Sequence, residues 1–222
     1  MDNIKLVEVK QSIFAENNRE ADELRKYLKE KKVFMVNLMA SPGAGKTTLL
    51  METIIRLKEE MTIGVMEADI DAMVDAERIH AAGARSIQLH TGGMCHMDAG
   101  MTKQGLDAFG IDGLDLVVLE NVGNLVCPAE FDTGASLNVM LLSVPEGDDK
   151  PLKYPLIFQV CDVILISKID TKSVFDFDDE TVVERIHRRN PNAQVFFLSA
   201  KTGEGMDQWC DWLRHRVADC KS

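Results

Sequence analysis

The sequence predicts an α/β fold, a doubly wound and mostly parallel sheet of about seven strands. Three observations predict it. Short apolar runs recur at seven places along the 222 residues. Helical patterns lie between most of them, which is the alternation of a strand–helix–strand sheet. The chain carries only six prolines and no low-complexity linker, so a single domain of this length is expected.

Residues 12–32 read as a helix, with Phe14, Ala21, Leu24 and Leu28 in a stripe at near-helical spacing. The charged run Lys29 to Lys32 ends it and reads as a solvated helix end favoured by the macrodipole. Residues 1–32 are thus an N-terminal segment whose amphipathic helix packs on a domain spanning 33–222. The first apolar run, Val33 to Met39, has the composition of a strand buried on both faces. The others are Thr62 to Met66, Ser86 to His90, Leu116 to Leu119, Val139 to Val144, Val163 to Ile166 and Val195 to Leu198. Leu49, Leu50, Ile54 and Leu57 mark a helix after the first strand; Met206, Trp209, Leu213 and Val217 mark the last one. Asp176, Asp178, Asp179 and Glu180 precede a helical stretch from Thr181 to Arg189, where the helix dipole alone accounts for them.

Composition excludes several classes. Twenty-five basic against 36 acidic residues give a formal charge of −11, which argues against broad nucleic-acid binding. A hydrophobic content of 45% excludes wholesale disorder. No apolar run approaches the roughly 18 residues that a membrane span needs. The start, MDNIKLVEVK, lacks the basic-then-apolar pattern of a signal peptide. Five cysteines, an odd number, suggest no disulfide framework. A reduced, cytoplasmic protein is expected.

The first strand runs into Ala40-Ser41-Pro42-Gly43-Ala44-Gly45-Lys46-Thr47-Thr48, and a helix follows. In this position the segment reads as a phosphate loop. Backbone N–H groups wrap the phosphates, Lys46 reaches the β and γ oxygens, and Thr47 holds Mg²⁺. Gly43 and Gly45 permit torsions and a close approach that side chains would block. The full pattern begins with glycine, and here Ala40 stands in that place, at little cost if its φ is negative.

Ser167-Lys168-Ile169-Asp170 follows the sixth run and resembles the N-K-x-D element that reads guanine. The Asp170 carboxylate can accept hydrogen bonds from guanine N1–H and N2–H₂, a donor pair adenine lacks. The Lys168 stem would cover the base. Ser167 replaces the usual asparagine and removes an amide that braces neighbouring loops. Ser199-Ala200-Lys201 follows the last strand and matches the S-A-K element, whose backbone meets guanine O6.

Acidic residues surround the expected γ-phosphate. Glu67, Asp69, Asp71 and Asp75 follow the second strand, and Glu120-Asn121-Val122-Gly123 follows the fourth. A strand-end carboxylate can hold Mg²⁺ or orient water, and the Gly123 N–H can sense the γ-phosphate. Asp69 and Glu120 are best placed for Mg²⁺, at the carboxyl ends of strands. Asp69 and Asp75 are both candidates to orient the attacking water.

Thr91-Gly92-Gly93-Met94-Cys95-His96 follows the third run, and Cys127 lies four residues beyond Gly123. Cys95, His96 and Cys127 are soft or borderline metal ligands on two loops at one edge of the expected sheet. Three ligands are fewer than a closed tetrahedral site needs, and a symmetric dimer would double them on its axis. Thiolate-rich sites suit both Zn²⁺ and Ni²⁺. Cys161, Cys210 and Cys220 read as structural or incidental.

Together, A-S-P-G-A-G-K-T, E-A-D-I-D-A-M-V-D-A-E-R-I, T-G-G-M-C-H-M-D-A, E-N-V-G-N-L-V-C-P and D-K-P-L-K-Y-P closely resemble the HypB family over residues 33 to 217. These are GTPases of nickel insertion into NiFe-hydrogenase. Related urease accessory GTPases carry C-P-H where this chain has Met94-Cys95-His96. The resemblance implies a P-loop NTPase fold of the SIMIBI GTPase type, GTP-dependent homodimerisation, and metal at the interface on residues matching Cys95, His96 and Cys127. It also implies nickel delivery with a zinc-containing HypA-type partner to a hydrogenase large-subunit precursor. Some members add an N-terminal C-x-x-C-G-C site or a histidine-rich tract. Neither is in this sequence, so no N-terminal nickel store is expected. Lys153, in the K-Y-P segment, is a candidate trans contact to a partner's nucleotide or a plain surface residue. Two other classes stay open: a GTP-switched interaction protein with a structural zinc, and a P-loop small-molecule kinase.

Overall fold

In the computed structural model, the backbone is described for residues 9–68 and 73–222, and the side chains for 13–68 and 78–222. Seven strands in these residues form one sheet in the order β3-β2-β4-β1-β5-β6-β7. They are β1 Phe34–Ala40, β2 Ile63–Glu67, β3 Arg85–Gln88, β4 Leu116–Glu120, β5 Leu137–Ser143, β6 Val163–Ser167 and β7 Gln194–Phe197. Every pairing is parallel, where the sequence predicted a mostly parallel sheet. Each observed strand lies within two residues of an apolar run. Glu67 and Glu120 are the last residues of their strands rather than loop residues, and they sit opposite each other in register.

The helices are α1 Val9–Glu30, α2 Lys46–Leu57, α3 Met73–Ala82, α4 Ala99–Phe109, α5 Cys127–Glu130, α6 Lys150–Lys153, α7 Pro155–Val160, α8 Asp179–Arg189 and α9 Met206–Lys221. β1 shows how they divide between the faces. Phe34, Val36, Leu38 and Ala40 pack with Leu49 and Ile54 of α2 and with Trp209 and Leu213 of α9. Met35 points the other way, toward Leu24 and Leu28 of α1 and Leu106 of α4; Met39 joins Ile157 and Phe158 of α7. A strand with two apolar faces needs helices on both, which explains the missing alternation in its sequence.

α1 ends at Glu30, and Lys32 adopts a left-handed φ of 57°, turning the chain into β1. The acidic run before α8 is structural: the Asp178 carboxylate caps the helix by accepting from the Thr181 N–H at 2.6 Å. That hydrogen bond holds its carboxyl below the ordinary range. None of the described helices is long and apolar enough to cross a membrane.

Candidate functional site

The carboxyl ends of β1, β4, β6 and β7 meet at one edge, where parallel sheets hold ligands. β1 delivers Ala40, fully buried and without a positive φ, directly into the loop from Ser41 to Gly45. Gly43 and Gly45 take φ values of 75° and 106°. Those torsions belong to glycine and turn the chain so that α2 begins at Lys46. Lys46 is 7% exposed, with its Nζ 4.0 Å from the Glu120 Oε1. The Thr47 hydroxyl donates to the same oxygen at 3.4 Å. Pro42, Gly43, Gly45, Lys46, Thr47, Thr48, Glu120 and Gly123 line a cavity of about 430 Å³ over this loop, joined by Arg78 and Val122. A Cβ on Gly123 would stand 3.2 Å from the Pro42 ring, so this turn rests directly against the phosphate loop.

A second cavity of about 380 Å³ adjoins it. Ala44, Gly45 and Thr48 form one wall; Ser167, Lys168, Asp170, Ser199, Ala200 and Lys201 form the other. Its polar groups are fixed by short local bonds. The Ser199 hydroxyl, fully buried, donates to the Asp170 Oδ1 at 2.7 Å. The Lys168 ammonium donates to the Gly43 carbonyl at 2.7 Å. The Ser167 hydroxyl donates to the Ala44 carbonyl at 3.2 Å, so the serine also braces the phosphate loop, the task whose loss its sequence suggested. Gly205, at φ 72°, lets the following turn close: a Cβ there would sit 2.0 Å from the Phe197 carbonyl oxygen.

The thiols of Cys95 and Cys127 and a ring nitrogen of His96 lie within 4.8 Å of one another. Cys95 comes from the segment after β3, and Cys127 opens α5 beyond the Glu120–Gly123 turn. The donor set of two thiols and one imidazole, already convergent, fits a soft or borderline divalent cation. Cys95 is exposed and Cys127 partly so, whereas His96 is 5% exposed and stacks on Phe131 at 3.9 Å between ring centroids. Hydrogen bonding with Cys127, then burial, pushes the Cys95 thiol above its ordinary value. Burial lowers the His96 imidazole against the pull of Asp98 and Glu130, favouring the neutral, ligating form. By contrast, burial drives the Cys161 thiol well above its usual range and the Cys210 thiol up to about 11, as befits packed, inert residues.

The structure thus brings the phosphate-loop, base-side and metal residues of the sequence prediction to one sheet edge. Lys153 stands apart, 60% exposed and paired with Asp149 at 2.5 Å, and it lines neither cavity. Asp69 and Asp71 lie outside the described residues; Asp75 falls on α3, with its side chain outside them. The sequence reading missed Arg78, Val122, Phe131 and the amides of Asn37 and Asn121. Arg78 stood inside the E-A-D-I-D-A-M-V-D-A-E-R-I segment without being singled out, and a lone polar Asn37 in an apolar strand was a signal.

The all-parallel sheet, the phosphate loop and the base-side cavity define a P-loop GTPase fold. A family model described as "CobW/HypB/UreG, nucleotide-binding domain" matches residues 34–197. The hydrogenase maturation factor HypB of Escherichia coli K12 is 43% identical over 209 residues, covering 94% of this chain and 72% of that protein. The crystal structure of HypB from Archaeoglobus fulgidus superposes with a TM-score of 0.85 at 39% identity, over 91% of this chain and 99% of that one. That of HypB from Helicobacter pylori in complex with nickel gives 0.86 at 36%, over 92% and 96%. The chain belongs to the HypB family.

Proposed function

We propose that this protein is a GTP-hydrolysing metallochaperone that delivers nickel during NiFe-hydrogenase maturation. One observation carries the reading. The Cys95–His96–Cys127 group stands on loops that border the Glu120–Gly123 turn, and that turn lines the phosphate cavity. Relatives named as hydrogenase maturation factors, one of them solved with nickel, point the same way.

Asp170, held by Ser199, accepts from the guanine edge, and the Lys168 stem covers the base. Ala200 and Lys201 close the base pocket with backbone and side chain. Backbone N–H groups from Ser41 to Thr48 cradle the phosphates, and Lys46 stabilises charge on the transferring phosphoryl group. Glu120 and Thr47, sharing a hydrogen bond beside the buried Lys46, fit a Mg²⁺ ion and would hold it with Asp69. Magnesium supplies neutralisation of the β and γ oxygens there. Asp69 or Asp75 orients the attacking water, and the Gly123 N–H responds to the γ-phosphate.

Each protomer offers three metal ligands, so a GTP-bound homodimer would complete the site across its axis. The apolar Met94 and Val126, 47% and 50% exposed beside the donors, suit that contact. Lys153 would leave Asp149 to reach the partner's nucleotide. A HypA-type zinc protein and a hydrogenase large-subunit precursor are the expected partners, in the cytoplasm.

The test is a Ni²⁺ titration by calorimetry, with the protein loaded in turn with a non-hydrolysable GTP analogue and with GDP. Affinity or stoichiometry should differ between the two, because a nucleotide-gated carrier requires a coupling free energy between its sites. Coincident isotherms would make the metal site structural and leave a GTP-switched interaction protein.

A further inference from the structure

Asn121 lies inside the turn that lines the phosphate cavity, between Glu120 and Gly123, and only 1% of it is exposed. Its side-chain carbonyl accepts two hydrogen bonds. One comes from the Val122 N–H at 2.9 Å, within the turn itself. The other comes from the Met97 N–H at 3.2 Å, the residue after the metal ligand His96. Its side-chain amide donates to the Asn37 Oδ1 at 2.9 Å, and Asn37 in turn donates to the Asn138 Oδ1 at 3.0 Å. Asn37 is on β1, the strand that delivers the phosphate loop, and is itself 1% exposed.

We propose that Asn121 is the positioning residue that carries the nucleotide state to the metal ligands. This rests on the metallochaperone reading and names the contact by which it works. The Asn37 anchor ties the amide end to the centre of the sheet, so the side chain cannot simply follow the turn. A turn that rearranges around a γ-phosphate reorients the Val122 peptide, and the shared carbonyl, held at its amide end, pivots about that anchor to re-pair. The Met97 N–H then loses or changes its acceptor, and a buried N–H does not stay unpaired without its segment moving. Two arrangements of this kind, rather than a continuous drift, are what a switch needs.

A second anchor supplies the internal control. The Asn17 side chain on α1 accepts from the Ala99 N–H at 2.9 Å and donates to the Asp132 carbonyl at 3.0 Å. The metal loop is therefore suspended between the switch turn, through Asn121, and α1, through Asn17. Asn17 touches neither the turn nor the cavity. The covalent path from Gly123 to Cys127 is the rival route, and it survives any change at Asn121.

The experiment compares Ni²⁺ affinity in the GTP-analogue and GDP states for the wild type, Asn121→Ala and Asn17→Ala, using the full chain. A wild-type ratio within the usual coupling range of about 5- to 150-fold should fall to within about two-fold of unity in Asn121→Ala. Asn17→Ala should weaken Ni²⁺ binding in both states and keep the wild-type ratio. A wild-type ratio in Asn121→Ala overturns the proposal and leaves the chain from Gly123 to Cys127 as the route. Hydrogen exchange at the Met97 amide of metal-free wild type, in both nucleotide states, judges the proposal without any variant. Protection should differ about five-fold or more; equal protection overturns it. Coincident wild-type isotherms would remove the metallochaperone reading, and the Met97 exchange would still decide the relay.

Discussion

On the β6–β7 side of the sheet edge, three polar groups are fixed by partners in adjacent strand-end loops. Ser199 holds Asp170, Gly43 holds Lys168 and Ala44 holds Ser167. The metal corner between β3 and β4 is assembled differently. Its ligands come from two loops, His96 leans on Phe131, Phe131 meets Phe14 of α1 at 5.0 Å, and the loop hangs from Asn121 and Asn17. A base-reading pocket gains from rigid, preorganised donors and acceptors. A site that must take up and release an ion gains from ligands whose geometry depends on the state of a neighbour. The difference in construction is the difference in task.

The largest expected effect lies on the rigid side. Asp170→Asn keeps the shape and turns one charged acceptor oxygen into a donor facing the guanine N–H groups. Preference for GTP over ATP should fall about 10²- to 10⁴-fold in competition binding, from two charge-assisted hydrogen bonds. Nickel affinity at saturating nucleotide should hardly change. An unaltered nucleotide preference would remove the base-reading role of this pocket and, with it, the contrast. Next comes Cys127→Ser on the contingent side. Loss of one of three thiolate or imidazole ligands should weaken Ni²⁺ binding by about 10²-fold or more, while GDP affinity stays within about two-fold. A parallel loss of GDP binding would show that the corner is part of the nucleotide site's own scaffold.

The two regions were unequally legible in the sequence, for the same physical reason. Lys168, Asp170 and Ser199 stand in short motifs just after the strands β6 and β7, and a strand end is the one place where sequence order fixes position in space. The five inner strands were legible because burial on both faces leaves apolar runs such as Val163 to Ile166, whereas the edge strands β3 and β7 are only partly buried. Cys95, His96 and Cys127 could be grouped only by supposing which loops share an edge. Phe131 and Asn17 were not legible as supports at all, since their contacts run between segments with no shared periodicity. Lys153 was singled out by resemblance, yet in this chain it pairs with its own helix neighbour. The amphipathic stripe of α1 predicted burial of Leu24 and Leu28 correctly, but a stripe cannot say that the same helix clamps a distant loop.

The smallest expected effect serves as a control at the opposite end of the sheet. Asp115 precedes β4 there; it accepts from the Thr62 N–H at 2.8 Å and pairs with Lys221 at 2.5 Å. Burial raises its carboxyl, but the Lys221 and Thr62 hydrogen bonds outweigh this and hold it below the ordinary range. A carboxyl lowered by folding contributes stability above its unfolded value, near pH 4, and the contribution fades as pH falls through the folded value. Asp115→Asn should therefore cost about 1 kcal/mol at pH 7, a fall of about 2–4 °C in Tm, and less below pH 4. Both sites lie at the other edge, so the GDP and Ni²⁺ isotherms of this variant should match the wild type. A change in nucleotide dependence of nickel binding would mean that coupling spreads through the whole sheet, and the division between a rigid side and a contingent side would give way.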